Sequence, residues 1–285
     1  MSRKQLRLAG ALAVALCAGC NAPAPESASG GTGASRTYGT LAFKPCTLTS
    51  AQASANVEAQ CATLQVPENP AAPDGRRIGV HIAWLEVANQ GAGKTDPVFF
   101  LAGGPGQAAT EVAAPINQAL REVRKQRDIF LIDQRGTGKS NPLTCLGADG
   151  KELPLDETAA PTPALIADYA QRCAASLKDR ADTRFYTTTE AIGDLDAVRA
   201  ALGVDKVNLV GGSYGTRVAQ HYAARYPQHT RTVVIDGVAP NDLVVGGDFA
   251  NTFEDAIALQ SAQCRKDAAC ARRFPVDTRT QLRNV

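Results

Sequence analysis

A serine becomes an effective nucleophile when a turn presents its hydroxyl and fixed dipoles meet the charge that develops on the substrate. One stretch of this 285-residue chain has the residues for that. Residues 207–215 read VNLVGGSYG and put Ser213 between glycines two positions before and two after it. An apolar run leads in, and residues 216–226 have the pattern of a helix. Apolar run, Gly-x-Ser-x-Gly and helix, in that order, predict a sharp turn that lifts the hydroxyl off the end of a buried parallel strand. Side chains at the two flanking glycine positions would collide with the neighbouring strand and helix. The helix N-terminus then lies beneath the reacting group and favours negative charge. The chemistry implied is acyl transfer through a covalent serine intermediate.

A second glycine-rich stretch, GGPG at 103–106, follows the apolar run PVFFLA at 97–102. Alone it reads as a tight turn. Beside the elbow it reads as a source of backbone amides for one arm of an oxyanion hole, the other arm being the amide of Tyr214.

A serine also needs a base, and the chain holds three histidines. His221 lies eight residues down the predicted helix, roughly 12 Å from Ser213 by helical rise. His229 falls in the turn at 227–230, at the opposite edge of the sheet. His81 lies on an early strand and is expected to be partly exposed. None fits the role of base. Asp236 ends the strand after the elbow and stands at the right edge for a catalytic acid, although a cap on the Gly237 turn is its plainer role.

DQRGTGKS at 133–140 ends like a phosphate-binding loop, but Asp133 occupies the position where the first glycine of that motif belongs. A nucleotide-binding reading therefore fails. Asp133 and Arg135 are expected to be structural, bonding a crossing loop at the top of the sheet.

The elements that must carry these residues follow from hydrophobic patterning. Strands are predicted at 62–66, 77–87, 97–102, 128–133 and 232–236, those at 97–102 and 128–133 and the one at 232–236 being buried. In 77–87, Ile78, Val80, Ile82 and Trp84 share one face. Helices are expected at 117–126, 164–177, 190–202 and 249–264, with Thr189 capping the third. The strand–helix–strand rhythm from 97 to 236 predicts a doubly wound, mostly parallel α/β sheet.

Composition narrows the function classes. The formal charge is +2, and removing Arg3, Lys4 and Arg7 of the first twenty residues turns it to −1. With only 5% aromatics and no basic block, nucleic acid is a poor partner. Residues 1–20 have a positive start, an apolar run and then Ala18-Gly19-Cys20, the pattern of a signal peptide with a bacterial lipobox. Lipidation at Cys20 would tether the protein to a membrane surface, and plain secretion is the alternative. Residues 21–40 are rich in Ala, Ser, Gly and Pro and read as a flexible linker. Six further cysteines suit an oxidising compartment. Sequence proximity favours Cys46–Cys61, Cys145–Cys173 and Cys264–Cys270. No Cys-x-x-Cys pair supports a metal site, and no cofactor is expected.

Taken together, the leader, GGPG (103–106), DQRGTGKS (133–140), GGSYGTRVAQHYAARYP (211–227) and VVIDGVAP (233–240) resemble the α/β-hydrolase family of proline iminopeptidases and secreted tripeptidyl aminopeptidases. The resemblance runs from about residue 41 to 285 and implies an α/β-hydrolase core over 41–240 with the beginning of a helical lid at 241–285. It implies removal of amino-terminal residues from short peptides through an acyl-enzyme, with Ser213 as nucleophile and Gly104 and Tyr214 supplying oxyanion amides. Family members carry the catalytic Asp after a later strand and the His near the C-terminus. No residue here matches either, so the resemblance implies a C-terminally truncated chain, or one completed by a further C-terminal segment. Action on esters or other amides, and an inactive remnant or binding module, are the alternatives. The expected location is outside the cytoplasm, as an envelope lipoprotein or a secreted or periplasmic protein.

Overall fold

The computed structural model describes residues 34–50, 53–89, 96–154, 162–244 and 246–284. The leader and Cys20 lie outside the described residues. Among them, eight strands form one mixed sheet: β1 (Arg36–Tyr38), β2 (Leu41–Ser50), β3 (Ala53–Pro67), β4 (Arg77–Leu85), β5 (Val98–Leu101), β6 (Ile129–Ile132), β7 (Val207–Gly212) and β8 (Thr230–Asp236). Their order across the sheet is β1-β2-β3-β4-β6-β5-β7-β8. The first four strands form an antiparallel meander, β4 meets β6 antiparallel, and β6, β5, β7 and β8 run parallel. The helices are α1 (Ala113–Ala119), α2 (Arg121–Arg124), α3 (Pro163–Leu177), α4 (Thr188–Ala201), α5 (Tyr214–Arg225), α6 (Phe249–Lys266), α7 (Ala268–Arg273) and α8 (Thr278–Arg283).

Strand alternation divides the core into two layers. On one face Ile82, Trp84, Phe99, Leu101, Phe130, Ile132 and Leu209 pack against Ile192, Leu195 and Val198 of α4 and Val218 and Tyr222 of α5. On the other, Ala83, Leu85, Val98, Phe100, Ile129 and Leu131 pack beneath Ala113 and Ile116 of α1. This is why VFFL and IFLI are apolar at every position: both faces are covered. Each fully buried phenylalanine stabilises the fold by about 1.5–3 kcal/mol.

The sequence reading needs correction at several places. Part of the stretch expected to be linker is strand, β1, and Tyr38 in it is buried with its ring edge-on to Trp84 and Phe130, centroids 5.0 and 5.3 Å away. The strand at 232–236, expected to be buried, lies at the sheet edge as β8 with every residue from Arg231 to Asp236 exposed. His81 is buried rather than partly exposed, since β4 is covered on both faces. Thr187, not Thr189, caps α4, its hydroxyl accepting from the Thr189 amide at 3.2 Å. The helix expected at 117–126 is two short ones, α1 and α2.

Three disulfides join Cys46–Cys61, Cys145–Cys173 and Cys264–Cys270, the pairs adjacent in sequence. Three such bonds mark a protein of an oxidising, extracytoplasmic compartment. The first clips β2 to β3 and the second anchors α3 to the loop after β6, while the third ties α6 to α7.

Candidate active site

Ser213 follows the last residue of β7 and precedes the first of α5. Its backbone has φ 52° and ψ −121°, a conformation that a residue with a Cβ adopts only when its surroundings impose it. The surroundings are the two glycines. A Cβ on Gly211 would stand 2.4 Å from the carbonyl oxygen of Gly215, and one on Gly215 would stand 2.0 Å from that of Leu101 in β5. Gly212, between them, has open space.

Hydrogen bonds hold the turn from both sides. The Ser213 amide donates to the Asp236 carbonyl at the end of β8, 2.8 Å away. The Ser213 carbonyl accepts from the amide and hydroxyl of Thr216 at 3.0 and 2.6 Å, and the Thr216 hydroxyl accepts from the Ala239 amide at 2.8 Å. Thr216 therefore links the elbow to the loop after β8. Nothing in the sequence marks it apart from its place in the first turn of the helix.

The glycine-rich loop after β5 reaches the same point. A Cβ on Gly103 would lie 2.9 Å from the Ser213 Cβ and 3.4 Å from Oγ. Gly104 has φ +102°, open to glycine alone at ordinary cost. No hydrogen bond from the amides of Gly104 or Tyr214 to a protein acceptor occurs among the described residues. Ser213, Gly103, Gly104, Gln107, Ile116 and Asp236 are among the residues around a depression of about 480 Å³.

Asp133 and Arg135 are not among the residues around that depression. The fully buried Asp133 carboxylate accepts from the Thr110 amide and hydroxyl, both at 2.9 Å, and from the Lys139 amide at 3.2 Å. It thereby fastens the loop after β6 to the segment that continues from the 103–106 loop. Gly138 must be glycine, since its Cβ would stand 2.4 Å from the Asp133 Oδ2. Arg135 is buried and bidentate on Asp194 of α4, Nε to Oδ2 and Nη2 to Oδ1 both at 2.6 Å. Its remaining donors reach the carbonyls of Glu68 (2.8 Å), Phe185 (2.7 Å) and Pro67 (3.4 Å). Burial holds the Asp194 carboxyl above its ordinary value, with the Arg135 guanidinium opposing the rise only in part.

The histidines are not brought to Ser213. His229 precedes β8, so the strand's seven residues, about 23 Å at strand rise, separate it from the end where Asp236 meets the elbow. Its Nδ1 lies 2.8 Å from Asp196 instead. His221 is exposed on α5. His81 lies on β4, three strand spacings from β7, about 14 Å. Its amide accepts no role in the depression but donates to Ser140 Oγ at 2.7 Å, and burial lowers its imidazole pKa. Among the described residues no group of three or more His, Cys, Asp or Glu side chains is placed to hold a metal ion.

Comparison with known proteins bears on this arrangement. A family described as alpha/beta hydrolase fold matches residues 96–264, more than half of the chain. Serine protease Hip1 of Mycobacterium tuberculosis is 29% identical over 80% of this chain and 46% of its own length. Tripeptidyl aminopeptidase of Streptomyces lividans is 30% identical over 63% of this chain and 35% of its own. Proline iminopeptidase of Neisseria gonorrhoeae is 26% identical over 55% and 40% respectively. The chain spans less than half the length of each of these relatives.

Proposed function

The chain belongs to the alpha/beta hydrolase fold family, and from that premise we propose that it is the Ser213-bearing part of a serine hydrolase that removes amino-terminal residues from short peptides. The observation that carries this reading is the meeting of two loops: Ser213 held at positive φ after β7, with Gly103 of the 103–106 loop beside its hydroxyl. Similarity to two aminopeptidases supports a peptide substrate.

In this reading Ser213 Oγ attacks the carbonyl carbon of the scissile amide and forms an ester, while the C–N bond breaks. The amides of Gly104 and Tyr214 donate to the oxyanion, and the N-terminus of α5 adds its dipole. The hydroxyl proton passes to a general base and from it to the departing amine, and water then hydrolyses the ester. Because all three histidines stand away from Ser213, that base comes from outside these 285 residues, in keeping with a further C-terminal segment. Residues from about 241, with α6 to α8, form the beginning of a helical lid. Cys20 serves as a lipid anchor at the cell envelope after export.

A fluorophosphonate probe tests the nucleophile directly. In a form that carries the base, labelling should fall on Ser213, vanish in Ser213→Ala and vanish after denaturation. Absence of labelling in the native protein would favour the second reading, an inactive or binding module, for which the distance of the histidines is the specific support. Turnover of amino-terminal chromogenic peptides against short acyl esters, in a form that carries the base, separates peptidase from esterase.

A further inference from the structure

We propose that Thr188 is a positioning residue for the oxyanion hole: its hydroxyl holds the side chain of Tyr214, and through it the amide that receives the negative charge. This rests on Ser213 being the nucleophile, as proposed above.

The amide belongs to the peptide unit between Ser213 and Tyr214. In a trans peptide the C=O and N–H point in opposite directions. The Ser213 carbonyl accepts from the Thr216 amide and hydroxyl at 3.0 and 2.6 Å, which secures one side of that unit. The N–H on the other side belongs to the first residue of α5, where no carbonyl of the helix is available to it. It has no protein acceptor among the described residues. Its direction depends on the torsions at either end of the unit, ψ of Ser213 and φ of Tyr214. Ser213 stands at φ 52° and ψ −121°, and a rotation towards an ordinary conformation would relieve strain. Such a rotation would turn the N–H with it, so the residue after the serine needs a hold of its own.

Tyr214 has that hold at the far end of its side chain. Its ring is partly buried against the core face formed with α4 and α5, and its hydroxyl is hydrogen-bonded to Thr188 Oγ1. Packing and hydrogen bond together fix the side-chain torsions, so Cα cannot turn far without breaking the contact. Thr188 is itself anchored. It opens α4, whose N-cap Thr187 accepts from the Thr189 amide at 3.2 Å. Further along α4, Asp194 is locked in the buried pair with Arg135, and the same guanidinium donates to the Phe185 carbonyl just ahead of the helix at 2.7 Å. Eight residues on along each helix Tyr222 donates to Asp196 at 3.0 Å, a second tie between α4 and α5 roughly 12 Å from the first. Removing the Thr188 hydroxyl leaves that tie and the ring packing in place and frees only the elbow end of α5. Neither Thr188 nor Tyr214 is among the residues around the depression, so their effect on the reaction passes through the Tyr214 backbone.

The test is steady-state hydrolysis of an amino-terminal chromogenic peptide by the form that carries the base, with active sites counted by fluorophosphonate labelling. Tyr214→Phe keeps the ring and loses the hydroxyl, and Thr188→Val keeps the shape of threonine without its oxygen. Loss of one hydrogen bond corresponds to about a three- to tenfold fall in kcat per labelled site, expected in both variants with KM changed less than about twofold. The double variant should be no slower than either single one, and Thr188→Ser should keep the parent kcat. A peptidyl trifluoromethyl ketone, whose adduct with Ser213 places an oxyanion in the hole, should bind more weakly by the same factor. Parent kcat and parent inhibitor affinity in both variants, with only the melting temperature lowered, would reduce the pair to a structural contact and overturn the inference. Losses that multiply in the double variant would overturn it too, since two hydroxyls sharing one bond cannot lose it twice. A rise in KM at constant kcat would move the effect to substrate binding and have the same result. If the fluorophosphonate does not label Ser213 in the parent, the nucleophile reading fails and takes the inference with it. Labelled but unimpaired variants sink the inference alone.

Discussion

Gly103 faces Ser213 so closely that a single methyl group on it would stand 2.9 Å from the serine Cβ. Two loops separated by more than a hundred residues thus share one small volume, and the serine hydroxyl has its present position only while Gly103 lacks a side chain. Gly103→Ala should displace either the hydroxyl or the loop that offers the Gly104 amide. Fluorophosphonate labelling of Ser213 should fall at least tenfold, with the fold retained by circular dichroism. Labelling at the parent rate would show that the loop yields without consequence.

Two glycines at the elbow should differ sharply. Gly215→Ala drives a Cβ to within 2.0 Å of a β5 carbonyl oxygen, a backbone atom that cannot swing aside. Overpacking of this kind costs about 1–3 kcal/mol or more. Gly212→Ala meets nothing within 4 Å and should change stability by less than about 0.5 kcal/mol. Urea denaturation of both variants checks the contrast, and equal losses would refute it.

Arg135→Met should be among the most damaging single changes in the chain. It leaves the Asp194 carboxylate buried and unpaired, together with carbonyls of Pro67, Glu68 and Phe185. Breaking a buried pair from one side costs about 3–5 kcal/mol. Replacing both partners, as Arg135→Met with Asp194→Leu, should restore part of that loss. Chemical unfolding of the single and double variants provides the measurement, and a single variant as stable as the parent would contradict it.

Acid sensitivity should depend on His81. Burial lowers its pKa below the ordinary 6.5, opposed by the nearby Asp133 carboxylate and reinforced by Lys139. Above pH 6.5 the imidazole is neutral in both folded and unfolded chains, and its contribution to stability is fully present. As pH falls through 6.5 the unfolded chain takes up the proton first, and stability is lost until the folded-state pKa is passed. His81→Asn should flatten the decline in unfolding free energy between about pH 7 and 5. Identical slopes would exclude His81 as a contributor.

Much of the site could be read from residue types because backbone sterics write themselves into sequence. Gly211, Ser213 and Gly215 are recognisable since only glycine tolerates those contacts. VFFL and IFLI are recognisable because both their faces are covered. What escaped depends on partners distant in the chain. β1 and β2 carry short alternations broken by Pro45, and it is pairing with β3 together with the rings of Tyr38 and Phe43 against Trp84 and Phe130 that makes them part of the sheet. β8 has the apolar residues of an interior strand yet Val234 is 54% exposed, because burial is set by what lies beside a strand and not by its own composition. Thr216 accepts from the distant Ala239 amide, a hydrogen bond that no local pattern announces.

Arg135 gathers Pro67, Glu68, Phe185 and Asp194 around one guanidinium. One buried charge thus makes three stretches far apart in the sequence interdependent: displacing any of them would leave the guanidinium, or the Asp194 carboxylate, without its partner in the interior.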